Sequence, residues 1–406
     1  MLFKLALRNI IAYKKRSCVT ALLTAIMTAL LVFSSAWMDG SHDTMIQNAV
    51  EIYPGYIQIT DKGFRANPSY DHLIFDAAAI KQKLSRNNDI AHFAARFESF
   101  VLFAADEKAV GGMLTGIEPE EEVHLSRLSS SLGKGEYLSA DDTNQIYIGY
   151  ELAKRLKLVV GDEVAFIGNG ADYSFAADNL KVKGIFQTGL FNFDAKTAFV
   201  SKSYFDQIMA AENYATHLII LPKQPGQAEE LASTIAVSIG SLYQTASWNQ
   251  TMAGLVKAMK LDSVFGYISL GIIFIVIFFV IMIYTLLAVF ARVREIGILR
   301  AIGTAPRQIL TLLLLESSLL ALTSVIIGGV IGGAFAYYFH HNPIVFAGME
   351  EQFKQYGLAS SAMPTAFMPF TILRDMVVIF GLSVLSTLYP ILKINHLRPI
   401  EAIHHV

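Results

Sequence analysis

The chain has 406 residues, of which 53% are hydrophobic and only 16% charged, and its mean hydropathy is +0.45. A soluble globular domain carries about a quarter charged residues, so this balance excludes an ordinary water-soluble enzyme and points to a bilayer. The net charge of −2 excludes a basic nucleic-acid footprint, and the single cysteine, Cys18, excludes an internal disulfide.

Residues 1–16 carry Lys4, Arg8, Lys14, Lys15 and Arg16 without an acid, interleaved with Leu2, Phe3, Leu5, Ala6, Ile10, Ile11 and Tyr13. That pattern predicts a cytoplasmic amphipathic helix on an anionic inner leaflet. Residues 17–38 are free of charge and long enough to cross the hydrocarbon core as the first span. Ser34-Ser35-Ala36 resembles a signal cleavage site, but the charge-free run exceeds a signal h-region, so an uncleaved anchor is expected. Lys15-Arg16-Ser17 before Cys18 is not a lipoprotein box.

The interval 39–262 has no long apolar run and holds 19 Lys and Arg against 28 Asp and Glu. Alternating or β-rich runs predict strands at 56–60, 97–104, 109–117, 145–148, 163–167, 180–186, 198–201 and 217–221. Helices are expected at 150–158, 203–211 and 225–238, which makes this an α+β extracytoplasmic domain. Gly111-Gly112 reads as a bulge, Gly133-Lys134-Gly135 as a turn, and Glu118, Glu120, Glu121 and Glu122 as a solvated acidic loop. The end segments 41–50 and 247–261 contain no proline and predict helical stalks.

Residues 263–291 form the second span, followed by a basic cytoplasmic segment, 292–307. The third span, 308–339, contains one ionisable group, Glu316, about 13 Å beyond Arg307 along a helix. A carboxyl there costs about 2.5–3.5 kcal/mol, and a structural pairing with Arg292 or Arg294 is preferred over a transport role. Gly328, Gly329, Gly332 and Gly333 form overlapping small-residue motifs suited to close helix packing. A periplasmic loop (340–375), a fourth span (376–392) and a cytoplasmic tail (393–406) complete the order. The segments 1–16, 292–307 and 393–406 are rich in Lys and Arg, so both termini are expected in the cytoplasm. The fold class is an α-helical membrane protein with four transmembrane helices plus a large α+β extracytoplasmic domain.

No Gly-x4-Gly-Lys-Ser/Thr, His-Glu-x2-His, Cys-x2-Cys or Gly-x-Ser-x-Gly occurs, so no catalytic residue, metal site or cofactor is expected in this chain. His404-His405 lacks a carboxylate cluster around it. The segment 292–307 is more distinctive. Ile296, Leu299, Ala301 and Ile302 fit one apolar stripe of a short helix, Gly303 stops it, and Pro306 starts the next.

The run "REIGILRAIGTAPRQIL" resembles the signature of ABC-superfamily permeases that include macrolide exporters, lipoprotein-releasing permeases and the cell-division permease. "LALRNIIAYKKR", "MDGSHDTMIQNAVEIYPGYIQIT", "YIGYELAKRLKLVVGDEVAFI" and "HLRPIEAIHH" extend the resemblance over nearly the whole chain, closest to the lipoprotein-releasing branch. The resemblance implies that the short loop helix couples to a separate ATPase through Arg294, Glu295, Gly297, Arg300 and Gly303. Pro399, Glu401 and Ala402 match a terminal motif on the ATPase side, where His404 replaces the motif's final Arg.

The function implied is that of a permease subunit in the bacterial inner membrane. It would work with an ABC ATPase dimer that holds ATP and Mg, a second permease copy or paralogue, membrane lipid, and a periplasmic carrier or adaptor. Its cargo would be a lipoprotein or another hydrophobic molecule, entering beside Leu30, Phe33, Trp37, Tyr267, Ile268 and Ile272. The alternative is a mechanotransmitting regulator of a periplasmic enzyme that moves no substrate. An ion channel or secondary transporter is disfavoured, because no polar path beyond Glu316 crosses the spans.

Overall fold

The computed structural model describes residues 2–348 and 362–395. Among the described residues the chain divides into a helical unit (2–43, 259–345 and 362–395) and an α+β unit (44–258 with 346–348). The α+β unit contains ten strands: β1 Ile57–Asp61, β2 Ile90–Ala105, β3 Lys108–Ile117, β4 Leu132–Gly135, β5 Gln145–Gly149, β6 Glu163–Asn169, β7 Phe175–Phe186, β8 Thr197–Ser201, β9 His217–Pro222 and β10 Tyr243–Ser247.

The long strand β2 belongs to two substructures. Its first half, Ile90–Arg96, pairs with β9, which continues through β1 to β10. Helices Ala77–Leu84 and Ala228–Ile239 cover that sheet, burying Ile80, Leu84, Leu231 and Ile235 at helical spacing. The second half of β2 pairs with both β3 and β6. The ladders β3–β8, β8–β5, β5–β7 and β7–β6 then close a ring of six strands. Inward positions from all six strands, including Phe97, Leu114, Ile146, Phe166, Val182 and Val200, fill it. The ring has the inside–outside alternation of a small closed barrel.

Where the two halves of β2 meet, Arg96 is wholly enclosed and forks onto the equally enclosed Glu122 at 2.9 and 2.5 Å. It also donates to the Tyr53 carbonyl at 2.5 Å and lies 4.1 Å from the Tyr53 ring centre. This overturns the expected acidic loop. Pro119–Leu125 is a helix, Glu122 faces inward, and Glu118 pairs with Lys81. The partners lie 26 and 37 residues away in sequence, beyond the reach of local pattern.

Two glycine readings also change. β2 and β3 stay in unbroken register past Gly111 and Gly112. A Cβ on Gly112 would lie 2.6 Å from the Lys196 carbonyl oxygen, so a close backbone approach, and not a bulge, requires glycine there. Gly133-Lys134-Gly135 belongs to strand β4, which adds to β7 through an irregular register.

In the helical unit, Lys14–Val50, Ala253–Phe290, Pro306–His341 and Pro369–Asn395 are helices, and each contains a stretch long and apolar enough to cross a membrane. A short helix, Trp248–Thr251, and a non-helical Met252 precede the second of these. The fourth helix begins seven residues before the expected span, so 369–375 is not loop. Asp375, the acid that marked the boundary, lies inside the helix with one carboxylate oxygen paired and the other enclosed without a partner among the described residues. Arg374 donates to Asp375 at 3.0 Å and to Ser35 at 3.1 Å. Leu31, Ile277, Val325 and Ile379, one from each long helix, share a single apolar cluster.

The glycine rows join the third helix to its neighbours. A Cβ on Gly328 would lie 2.3 Å from the Ala25 carbonyl oxygen, and one on Gly332 would lie 2.7 Å from that of Ala29. Gly329 faces Met376 and Gly333 faces Ile372. The first and third helices therefore touch backbone to side-chain-free backbone.

Two substitutions test these contacts. Arg96→Ala strands a buried carboxylate and is expected to cost about 3–5 kcal/mol of stability, read as a lowered thermal midpoint of the purified chain. An unchanged midpoint refutes the pair's importance. Gly328→Ala forces the first and third helices apart and is expected to cost about 1–3 kcal/mol, with Gly271→Ala, which has open space at its Cβ, as the neutral control.

Candidate coupling site

The turn Ala291–Arg292 separates the second long helix from the helix Val293–Ala301. Ile302 follows as its C-cap, Gly303 adopts φ +97°, and Pro306 opens the third long helix. The positive φ favours glycine, since a side chain there meets its own backbone.

The expected single apolar stripe is divided between two faces. Val293, Ile296 and Gly297 are buried, and Ile296 packs with Val289, Ile309 and Leu313, while Leu299 is partly buried against them. Arg294, Ile298 and Ile302, spaced by four, are exposed, with Ile298 at 50% and Ile302 at 74%. The burial is physically ordinary for the inward face. The outward face is an arginine followed by two uncovered isoleucines.

Glu316, on the first turns of the third long helix, is buried and receives Arg292 Nη1 at 2.7 Å on one oxygen and Asn9 Nδ2 at 2.5 Å on the other. Arg292 Nε also reaches Glu295 at 3.1 Å, and its guanidinium lies 4.9 Å from the Tyr13 ring centre. The Tyr13 hydroxyl donates to Glu295. That hydrogen bond, reinforced by Arg292, holds the Glu295 carboxyl below the usual carboxylate range. Asn9 and Tyr13 come from the amphipathic segment, whose helix Leu2–Ala12 packs along the third long helix. Five side chains thus clamp the N-terminal helix, the short loop helix and the third span together.

Of the residues singled out in the sequence, Arg294 is exposed at this site, Gly297 is buried under it, Arg300 is half-buried and Gly303 ends it. Glu295 is engaged within the chain by Tyr13 and Arg292. Arg292 and not Arg294 meets Glu316. Asn9 and Tyr13 were missed as site residues, and their partners lie 307 and 282 positions away. The only signal was their polar character on an otherwise apolar basic helix. Pro399, Glu401, Ala402 and His404 lie outside the described residues. Among the apolar candidates, Leu30, Tyr267, Ile268 and Ile272 are exposed. Phe33 packs on Trp37 and on Phe339 of the third long helix. The interhelical cluster uses the alternate positions Leu31, Leu270 and Ile273, which leaves Leu30, Tyr267, Ile268 and Ile272 on outward faces.

Four long apolar helices, a short helix between the second and third, and an α+β unit inserted between the first two define a membrane permease subunit. Residues 17–237 match the family model described as MacB-like periplasmic core domain, and residues 267–399 match that described as FtsX-like permease C-terminal. The chain belongs to this MacB/FtsX-like family of ABC permeases. It is 25% identical to the lipoprotein-releasing system transmembrane protein LolC of Xylella fastidiosa strain Temecula1 over 328 residues, covering 78% of each chain. LolC of strain 9a5c is 24% identical over 328 residues, again with 78% of each covered. The periplasmic region of MacB from Actinobacillus actinomycetemcomitans aligns with 52% of this chain and 97% of its own, at TM-score 0.37 and 13% identity. The extracellular domain of YknZ, a noncanonic ABC-type transporter from Gram-positive bacteria, aligns with 48% of this chain and 100% of its own, at TM-score 0.34 and 13% identity.

The clamp makes its own prediction. Glu316→Ala leaves Arg292 enclosed without its carboxylate and is expected to cost about 3–5 kcal/mol. Combining it with Arg292→Met should recover a large part of that loss, measured by thermal unfolding in detergent. Additive losses in the double variant would show that the two side chains do not act as a pair.

Proposed function

We propose that this chain is the transport subunit of an ABC complex that uses ATP hydrolysed by a separate ATPase to release lipoprotein, or another hydrophobic cargo, from the inner membrane. The observation that carries this reading is the two-faced loop helix. Its inner face is fixed by Ile296 and the Glu316–Arg292–Glu295 clamp, while Arg294, Ile298 and Ile302 are presented outward. Exposed isoleucines beside an arginine are the composition of an interface anchor.

In this reading each ATPase of a dimer, holding ATP and Mg, receives one such helix on the cytoplasmic side, where both termini also lie. A second permease copy or paralogue occupies the other half of the complex. Closure of the ATPases tilts the loop helix. The clamp passes the tilt to the third span and the N-terminal helix, and the glycine contacts pass it to the first. Helix Lys14–Val50 then carries the movement to the periplasmic domain, where a carrier or adaptor collects cargo. Within the clamp, Glu295 positions the loop helix through Tyr13 and Arg292, and Arg294 with the isoleucines touches the ATPase. Leu30, Tyr267, Ile268 and Ile272 offer apolar surface to an acyl chain entering from lipid. The LolC relatives support lipoprotein as the cargo class.

The test is reconstitution with the co-encoded ATPase. Ile302→Asp is expected to reduce ATPase capture about tenfold, equivalent to 1.4 kcal/mol. Glu295→Ala and Gly303→Val should abolish cargo-stimulated hydrolysis. Full capture and full stimulation in all three variants would remove the coupling role. Mass spectrometry of material retained by the wild-type complex identifies the cargo, and its complete absence alongside an associated wall-active enzyme would favour a regulator instead.

A further inference from the structure

The four long helices line a partly open cavity of about 50 Å³ whose walls mix hydroxyl-bearing and apolar side chains. Its walls include Thr24 of the first helix, Thr285 of the second, Ser324 of the third and Ser383 of the fourth, with Arg16 and Glu316 also lining it. Every span thus contributes a hydroxyl-bearing side chain to the same space, beside the apolar cluster of Leu31, Ile277, Val325 and Ile379. Hydroxyls in membrane helices ordinarily satisfy themselves on the carbonyl one turn back. Ser324 does so, donating to Leu320 at 2.6 Å. Ser383 does not. Its Oγ is enclosed, the residue is only 2% exposed, and no hydrogen-bond partner reaches it among the described residues.

We propose that this cavity is a water-binding chamber inside the membrane, with room for at least one ordered molecule. An unpaired hydroxyl in a dry interior is disfavoured, and water supplies both the donor and the acceptor that the walls need. An acyl chain would leave the hydroxyls unsatisfied. The chamber adjoins the Arg292–Glu316 pair, so its water hydrates the enclosed carboxylate from the side that no protein donor covers. It also provides replacement partners whenever the spans shift against one another. A polar, hydrated seam lets helices exchange hydrogen bonds one at a time without passing through a state in which a charge is bare.

This inference does not depend on the transport reading, because hydration is observed without ATPase or cargo. The experiment is cryo-electron microscopy of the full permease in lipid nanodiscs at a resolution that shows ordered solvent, paired with hydroxyl-radical footprinting. Solvent peaks within hydrogen-bond distance of Ser383 Oγ and Glu316, and labelling of cavity-lining Leu320 several-fold above lipid-facing Leu322, are expected. An empty or collapsed cavity, lipid density inside it, or equal labelling overturns the proposal. Ser383→Ala gives a second readout. If water completes the hydroxyl, the substitution removes one solvent peak and leaves the thermal midpoint equal or lower. A higher midpoint shows that the hydroxyl was dry, and overturns it.

Discussion

The arrangement of the membrane unit depends on how one buried carboxyl group is given its hydrogen-bond donors where water is scarce. Glu316 has two oxygens and the chain supplies a donor to each, one from Arg292 and one from Asn9. Neither donor belongs to its own helix. The electrostatic demand of a single side chain is therefore also a positional constraint on two other elements. Apolar residues at both 292 and 316 would remove the cost of burying the pair, but they would also release the N-terminal helix and the loop helix from a common reference point. The buried ionic contact therefore fixes relative position rather than adding net stability.

The α+β unit repeats this solution on a different scaffold. Arg96 and Glu122 are fully enclosed at the place where β2 passes from one sheet into the ring. Tyr53 adds a carbonyl acceptor and an aromatic face, and its hydroxyl donates to Glu98 at 2.5 Å. Tyr53 follows Val50, the last residue of the first long helix and a member of the core on that side. In both units a buried arginine organises chain segments that are remote in sequence, and in both the partner is a glutamate that local pattern reads as exposed or costly.

The membrane spans were legible because apolar length and flanking charge are local properties. The loop helix was legible because Gly303 and Pro306 punctuate it. Strands such as β3 and β9 announced themselves by composition. The features that escaped are those decided by distant partners. The helix Pro119–Leu125 looks like an acid-rich loop until Arg96 and Lys81 are brought beside it. The fourth helix looks short until Arg374 is seen to be paired with Asp375 and Ser35. Gly112 looks like a bulge until the Lys196 carbonyl is found against it. β4 escaped because two glycines and a lysine carry no strand propensity, and its place is set by the edge of β7. At the coupling site the motif located the helix but not its orientation. Which isoleucines turn inward depends on Val289, Ile309 and Leu313, contributed by the helices on either side.

The closure of six strands through β6 has a mechanical corollary. A strand at the margin of an open sheet can be peeled away one hydrogen bond after another, so a pull on it meets little resistance at any instant. In a hoop, each member is held along both flanks, and traction on one is shared by two ladders that must fail together. β2 is a stave of that hoop over its second half and part of an ordinary sheet over its first. A load arriving along β2 would therefore deform the sheet on the Ile90–Arg96 side well before it opened the barrel.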